Sequence, residues 1–218
     1  MKKVLVLLTL AGVLPLVPAQ AGTFYYDDLS GKAPIAPPPV TTGGSGCSSE
    51  YFDYDFVDLG YRYVDFDDNF LDNGQGISLG LSKTLTECTF VTLGGGWDQV
   101  DTERGRDLDF WSFSAGVGMI FPLAERVHLV AEGGVFYAFE DEGDEDAFGG
   151  YLSPTLRVGI TRALEAFASI TYFVDEEDDQ FEYSVGSVLR ITQALGIRAS
   201  WSWNDDAQTL GLGVRFAF

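Results

Sequence analysis

The chain has 218 residues, 46% of them hydrophobic, and a formal charge of −20. That length suits one domain with a short extension, and such acidity argues against nucleic acid and anionic surfaces as partners. Beyond the N-terminus no run of 18 apolar residues exists, so helical spanning is excluded and only a closed barrel could cross a bilayer.

The first residues read as a secretory signal. Lys2 and Lys3 form a positive start, residues 4–17 a mostly apolar stretch, and Ala19-Gln20-Ala21 a small-residue cleavage site. The stretch is short for a spanning helix and contains Pro15. Cleavage after residue 21 predicts a mature chain that begins at Gly22 with a charge of about −22. No cysteine follows closely, so a lipid anchor has no attachment point. Residues 22–50 form an extension: Pro34, Pro37, Pro38 and Pro39 precede the run Thr41-Thr42-Gly43-Gly44-Ser45-Gly46, a composition that cannot hold a core. It is expected to be flexible and periplasmic.

From Tyr51 onward the pattern has period two. Val57, Leu59, Tyr61 and Tyr63 share one parity, and Asp58, Gly60 and Arg62 the other. Further on, Trp111, Phe113, Ala115, Val117 and Met119 alternate with Ser112, Ser114, Gly116 and Gly118. A soluble strand would hide its large apolar residues and show charge, whereas here Gly and Ser line the hidden side; that inversion is the signature of a barrel facing lipid. Ten segments follow: about 51–63, 75–83, 88–97, 108–121, 126–139, 149–161, 166–174, 181–191, 195–203 and 207–218. The breaks alternate between short turns, such as Pro122-Leu123-Ala124-Glu125, and acidic loops. The loops 64–73, 98–107, 140–147, 175–180 and 204–206 hold 21 of the 33 acidic residues. The expected fold is all-β, a transmembrane antiparallel up-and-down β-barrel over residues 51–218 with about ten strands, or eight if one hairpin is not part of the wall. An even count puts both termini and all the short turns in the periplasm and the acidic loops outside.

The final residues, Gly213-Val214-Arg215-Phe216-Ala217-Phe218, carry a resemblance. The chain resembles the small outer-membrane β-barrels of Gram-negative bacteria, in the broad group of eight and ten strands, whose C-terminal assembly signal runs from a Gly through two residues to an aromatic, one residue and a last aromatic. Gly213, Phe216 and Phe218 match; Gly211 stands where a polar residue is usual. The resemblance implies recognition by the barrel-assembly machinery and contact with outer-membrane lipid and lipopolysaccharide. It implies no activity.

The inward parity carries a charged set, Asp58, Arg62, Glu132, Arg157, Glu182, Arg190, Arg198 and Arg215, with His128 nearby. Charges in a narrow lumen must be paired or wet. They read either as a web of arginine–carboxylate pairs that fills the barrel or as an arginine-lined path that favours anions. Barrel size leans toward filling, because open aqueous channels come with 16 to 18 strands. The single histidine, His128, falls at the periplasmic end of its strand with no serine partner on its face, so no catalytic residue is expected and no cofactor. The acidic loops offer carboxylates to divalent cations, though without the spacing of a calcium loop. Cys47 and Cys88 both fall at the periplasmic rim of an oxidising compartment. A disulfide pinning the extension across the mouth is the reading, with a partly plugged lumen as its consequence; two free thiols are the alternative. Tyr61, Trp111, Tyr137, Trp201 and their like mark an outer aromatic girdle. The expected role is structural or surface-interacting, with a narrow anion-leaning channel or small-solute transporter as the alternative.

Overall fold

In the computed structural model the described residues are 47, 49–66, 71–102, 107–141, 146–175 and 179–218. The signal segment, most of the extension and the tips of four acidic loops lie outside them. Ten strands form the wall: β1 (Phe56–Phe66), β2 (Leu71–Thr86), β3 (Thr89–Thr102), β4 (Asp107–Ala124), β5 (Val127–Glu140), β6 (Asp146–Gly159), β7 (Leu164–Asp175), β8 (Asp179–Arg190), β9 (Leu195–Trp203) and β10 (Ala207–Ala217). Each pairs antiparallel with its neighbours in sequence, and β1 pairs with β10, which closes the barrel. All ten hairpin segments are therefore wall.

Two of the short turns are closed by hydroxyls. Thr161 Oγ1 accepts from the amides of Ala163 and Leu164 at 3.1 and 3.0 Å, and Thr192 Oγ1 does the same for Ala194 and Leu195 at 3.3 and 3.0 Å. The same side-chain-for-backbone substitution closes the β9–β10 loop, where Asn204 Oδ1 accepts from Asp206 and Ala207. Register then fixes which parity faces out. Leu59, Leu79, Val117, Leu152, Ile170 and Leu212 are among the exposed outward residues, while Asp58, Arg62, Ser82, Thr92, Ser112 and Glu132 are buried inside. An outward belt of large apolar residues on a closed sheet is what a bilayer requires, since every backbone group is satisfied within the wall.

Several strand ends differ from the sequence reading. β1 begins at Phe56 rather than near residue 51 and runs to Phe66, β2 spans Leu71–Thr86 rather than about 75–83, and β3 runs to Thr102, so Asp98 belongs to the wall and not to an acidic loop. The lumen also holds more apolar bulk than the alternation predicts. Phe90, Phe110, Phe136, Phe167 and Phe173 are all buried on the inner parity. The small inner residues are the space these side chains occupy. A Cβ at Gly118 would stand 2.0 Å from the Phe90 ring, and one at Gly96 only 2.3 Å from Arg62 Nη2.

Candidate functional site

At the end that bears the short turns, which in barrels of this type faces the periplasm, Cys47 and residues 49–55 turn into the mouth. Cys47 is bonded to Cys88, as expected from their shared rim. Ser49 Oγ donates to the Glu125 carbonyl at 2.9 Å and receives the Tyr51 amide at 3.2 Å. This places Tyr51, Phe52 and Tyr54 inside the barrel, where all three are buried. The Phe52 ring lies 4.4 Å from the His128 ring, Tyr54 Oη and His128 Nδ1 share a 2.9 Å hydrogen bond, and Ser82 Oγ donates to the Tyr54 carbonyl at 3.1 Å. Gly159 makes room for the segment, since a Cβ there would stand 2.8 Å from Tyr51 Cβ.

Basic residues on the turns grip the same segment from outside. Arg162 pairs with Glu50 at 2.9 Å, Arg126 lies over the Tyr51 ring at 4.8 Å, and Lys83 pairs with Asp55. Partial burial works against the Asp55 charge, but the Lys83 ammonium and the Thr84 amide and hydroxyl outweigh it and hold its carboxyl below the usual range. Burial pushes the Tyr54 phenol up, against the pull of the Arg157 charge, so it stays protonated at neutral pH.

Beneath the segment sits the basic half of the charge network. Arg157 Nε donates to Glu165 at 2.6 Å. Arg215 grips Asp58 with two bonds of 2.7 and 2.6 Å, and Arg198 approaches the same carboxylate at 3.6 Å. Arg190 donates to the Tyr51 carbonyl and, at 2.9 Å, to that of Arg162. The half nearer the loops is acidic. Arg62 forks onto Asp98, with Nε at 2.7 Å from Oδ1. Glu132 accepts from Thr92 at 2.8 Å and Tyr151 at 2.7 Å, and Glu182 Oε1 is buried without a hydrogen-bond partner among the described residues. Above these, apolar side chains close the loop end: Val64, Phe66, Val100, Phe110 and Ala207 form one cluster, and Phe136, Ala147, Tyr151 and Phe173 another.

The structure thus brings Asp58, Arg198 and Arg215 together. Arg62 and Arg157 find different partners from those the sequence reading offered. Their carboxylates, Asp98 and Glu165, fall outside the expected segments 88–97 and 166–174, because the overrun of a strand past its apolar alternation leaves no mark when the flanking residues are polar. Tyr51, Phe52 and Tyr54 escaped as site residues because their apolar alternation imitates the start of β1. Between the two charged halves, Gly60, Ser78, Gly94, Ser112, Ser114 and Ser200 leave a cavity of about 40 Å³ beside Asp58 and Arg198, enough for a few waters. Among the described residues no three His, Cys, Asp or Glu side chains converge as metal ligands. Gly213, Phe216 and Phe218 lie on and just past β10, with the Phe218 amide bonded to the Asp55 carbonyl at 3.1 Å.

A closed antiparallel barrel with an apolar outer belt, short turns at one end and a polar, filled interior is an outer-membrane-type β-barrel, and the chain is of that class. No family model matches its sequence, and no curated protein does. Solved structures share the fold at low identity. The β domain of the Bordetella autotransporter BrkA is 13% identical, with 75% of this chain and 100% of that one covered at a TM-score of 0.49. Ail, the attachment invasion locus protein of Yersinia pestis, is 16% identical over 75% and 97%, at 0.38. The KdgM porin, solved in complex with disordered oligogalacturonate, is 8% identical over 74% and 99%, at 0.43. At such identities and scores the likeness is one of barrel to barrel and carries nothing about ligands.

Proposed function

We propose that the protein is a closed outer-membrane barrel whose role is structural or surface-interacting, and that it forms no open pore in its oxidised state. The observation that carries this reading is closure from both ends: Tyr51, Phe52 and Tyr54 fill the turn-end mouth, and the Val64–Phe110 side-chain cluster fills the loop end. What reaches partners is then the outer surface. Lipid and lipopolysaccharide contact the belt, the acidic loops face outward with weak affinity for divalent cations, and the C-terminal Gly213, Phe216 and Phe218 serve the assembly machinery. No enzymatic role is proposed, because His128 is enclosed by Phe52 and Tyr54, with its Nδ1 engaged by the buried Tyr54 phenol.

The test is solute uptake by liposomes that contain the refolded, oxidised protein. Swelling rates in isotonic small sugars and in chloride salts should equal those of empty liposomes. A second reading, a narrow anion-leaning channel, is favoured by one observation, the four arginines massed at the turn end. It requires the segment in the mouth to move.

A further inference from the structure

The wall below the mouth is short of negative charge. Four arginines, Arg157, Arg190, Arg198 and Arg215, face two wall carboxylates, Asp58 and Glu165, and all of these side chains are buried. The segment in the mouth supplies the rest. Asp53 lines a small space with Arg190 and Arg215, the Tyr51 carbonyl takes a bond from Arg190, and the faces of Phe52 and Tyr54 lie 4.9 and 5.4 Å from the Arg157 guanidinium. Aromatic faces are a poor substitute for an acceptor. Arg157 is wholly buried, and its Nη1 has no hydrogen-bond acceptor among the described residues. A buried guanidinium with an unused donor, in a wall with two more positive than negative charges, is built to take an oxyanion in bidentate fashion.

Apart from the burial of its three rings, the non-covalent attachments of the segment are hydrogen bonds and ion pairs: Ser49 to Glu125, Glu50 to Arg162 and Asp55 to Lys83 at the rim, and Tyr54 to His128 and Ser82 and Tyr51 to Arg190 inside. One attachment is covalent, the Cys47–Cys88 bond, in which Cys47 is buried and Cys88 half-buried at the rim. We propose that residues 51–54 are a removable lid over an anion site in the turn-end vestibule, that Cys47–Cys88 is its latch, and that a free multivalent oxyanion replaces Asp53 and the Tyr51 carbonyl against Arg157 and Arg190. Unlatching needs a dithiol. Its thiolate attacks the more exposed Cys88 sulfur, the Cys47–Cys88 bond breaks, and Cys47 leaves as a thiolate. The second thiol then displaces Cys88 and closes the reagent's own disulfide. Two electrons pass to the cysteines, and both thiolates take up protons.

This inference rests on the oxidised barrel being closed, which liposome swelling with the same preparation tests separately. The experiment is calorimetric titration of inorganic phosphate into the full mature chain refolded in detergent, oxidised, treated with dithiothreitol, and as C47S/C88S, with the heat-dependent gel shift as the check of folding. The oxidised protein should give no binding heat, and the reduced protein and C47S/C88S should bind. Adding Arg157→Gln to C47S/C88S should weaken binding by about tenfold or more, and Arg190→Gln serves if that variant does not refold. Equal binding before and after reduction would overturn the lid. Binding that appears only after Phe52→Ala and Tyr54→Ala are added to C47S/C88S would overturn the disulfide as the latch. No binding in that variant either would overturn the anion site.

Discussion

The two ends of the lumen are closed by different means. At the loop end the wall seals itself, with Val64, Phe66, Val100, Phe110 and Ala207 projecting inward from four strands. At the turn end the wall leaves room and a separate stretch of chain fills it, tied by one covalent bond and a ring of polar contacts. The charge follows the same division. Arginines exceed carboxylates beneath the inserted segment, whereas nearer the loops the carboxylates Asp98, Glu132 and Glu182 outnumber Arg62. The loop-end seal is part of the wall, whereas the turn-end filling, Tyr51, Phe52 and Tyr54 packed on Phe90, Ile120 and Val130, is a separate segment; under the lid proposal it alone leaves while the barrel stays folded.

The sharpest way to break that comparison is to disturb each half at its charges. Replacing Glu165 by Leu strands Arg157 in the turn-end half, and replacing Asp98 by Leu strands Arg62 in the loop-end half. Each should cost about 3–5 kcal/mol, because the remaining charge is buried without its partner. Urea titration of the heat-dependent gel shift measures it. Glu182→Gln is the control in the acidic half. With its Oε1 already lacking a partner, the change should be neutral or stabilising.

A smaller effect should come from the latch. Removing the Cys47–Cys88 bond, which spans 41 residues, should cost about 2–4 kcal/mol by the chain-entropy account. The loss should appear as protease cutting between residues 47 and 55 while the barrel stays folded. Gly159→Ala should act on the same end alone. Its Cβ meets the Tyr51 side chain, and overpacking of about 1–3 kcal/mol should loosen the segment without touching the loop end. The mildest probe is pH. The Asp55 carboxyl is held below its ordinary range by Lys83 and Thr84, so its contribution is complete above the unfolded value of about 3.9 and is lost as pH falls through the lower folded value. Protease access to residues 47–55 should rise in that acid range, and Lys83→Ala should move the rise to higher pH.

Much of the wall was legible in the sequence because membrane barrels write their faces at period two. Leu59, Tyr61 and Tyr63 against Asp58 and Arg62 is enough to assign inside and outside, and the alternation of short turns with acidic loops is enough to order the hairpins. The disulfide followed from both cysteines falling at one rim. The contents of the lumen were not legible to the same degree. A small residue such as Gly96 or Gly118 reads as empty space, but the space belongs to Arg62 or Phe90 from a neighbouring strand, and strand-to-strand reach is absent from a linear pattern. Pairings such as Arg62 with Asp98 depend on how far a strand runs past its apolar residues. The inserted segment hid because Tyr51, Phe52 and Tyr54 need no strand to be buried; they need only the mouth that the rest of the chain builds.

The account stands most directly on Phe52 and Tyr54 lying against His128, and the chain contains one histidine, so its ring signals are unambiguous. Nuclear Overhauser spectroscopy of histidine-labelled, oxidised protein refolded in micelles should give cross-peaks from the His128 ring to the Phe52 and Tyr54 rings, as the 4.4 Å ring separation and the 2.9 Å Tyr54 bond require. A folded barrel in which the His128 ring shows no aromatic neighbour would contradict it.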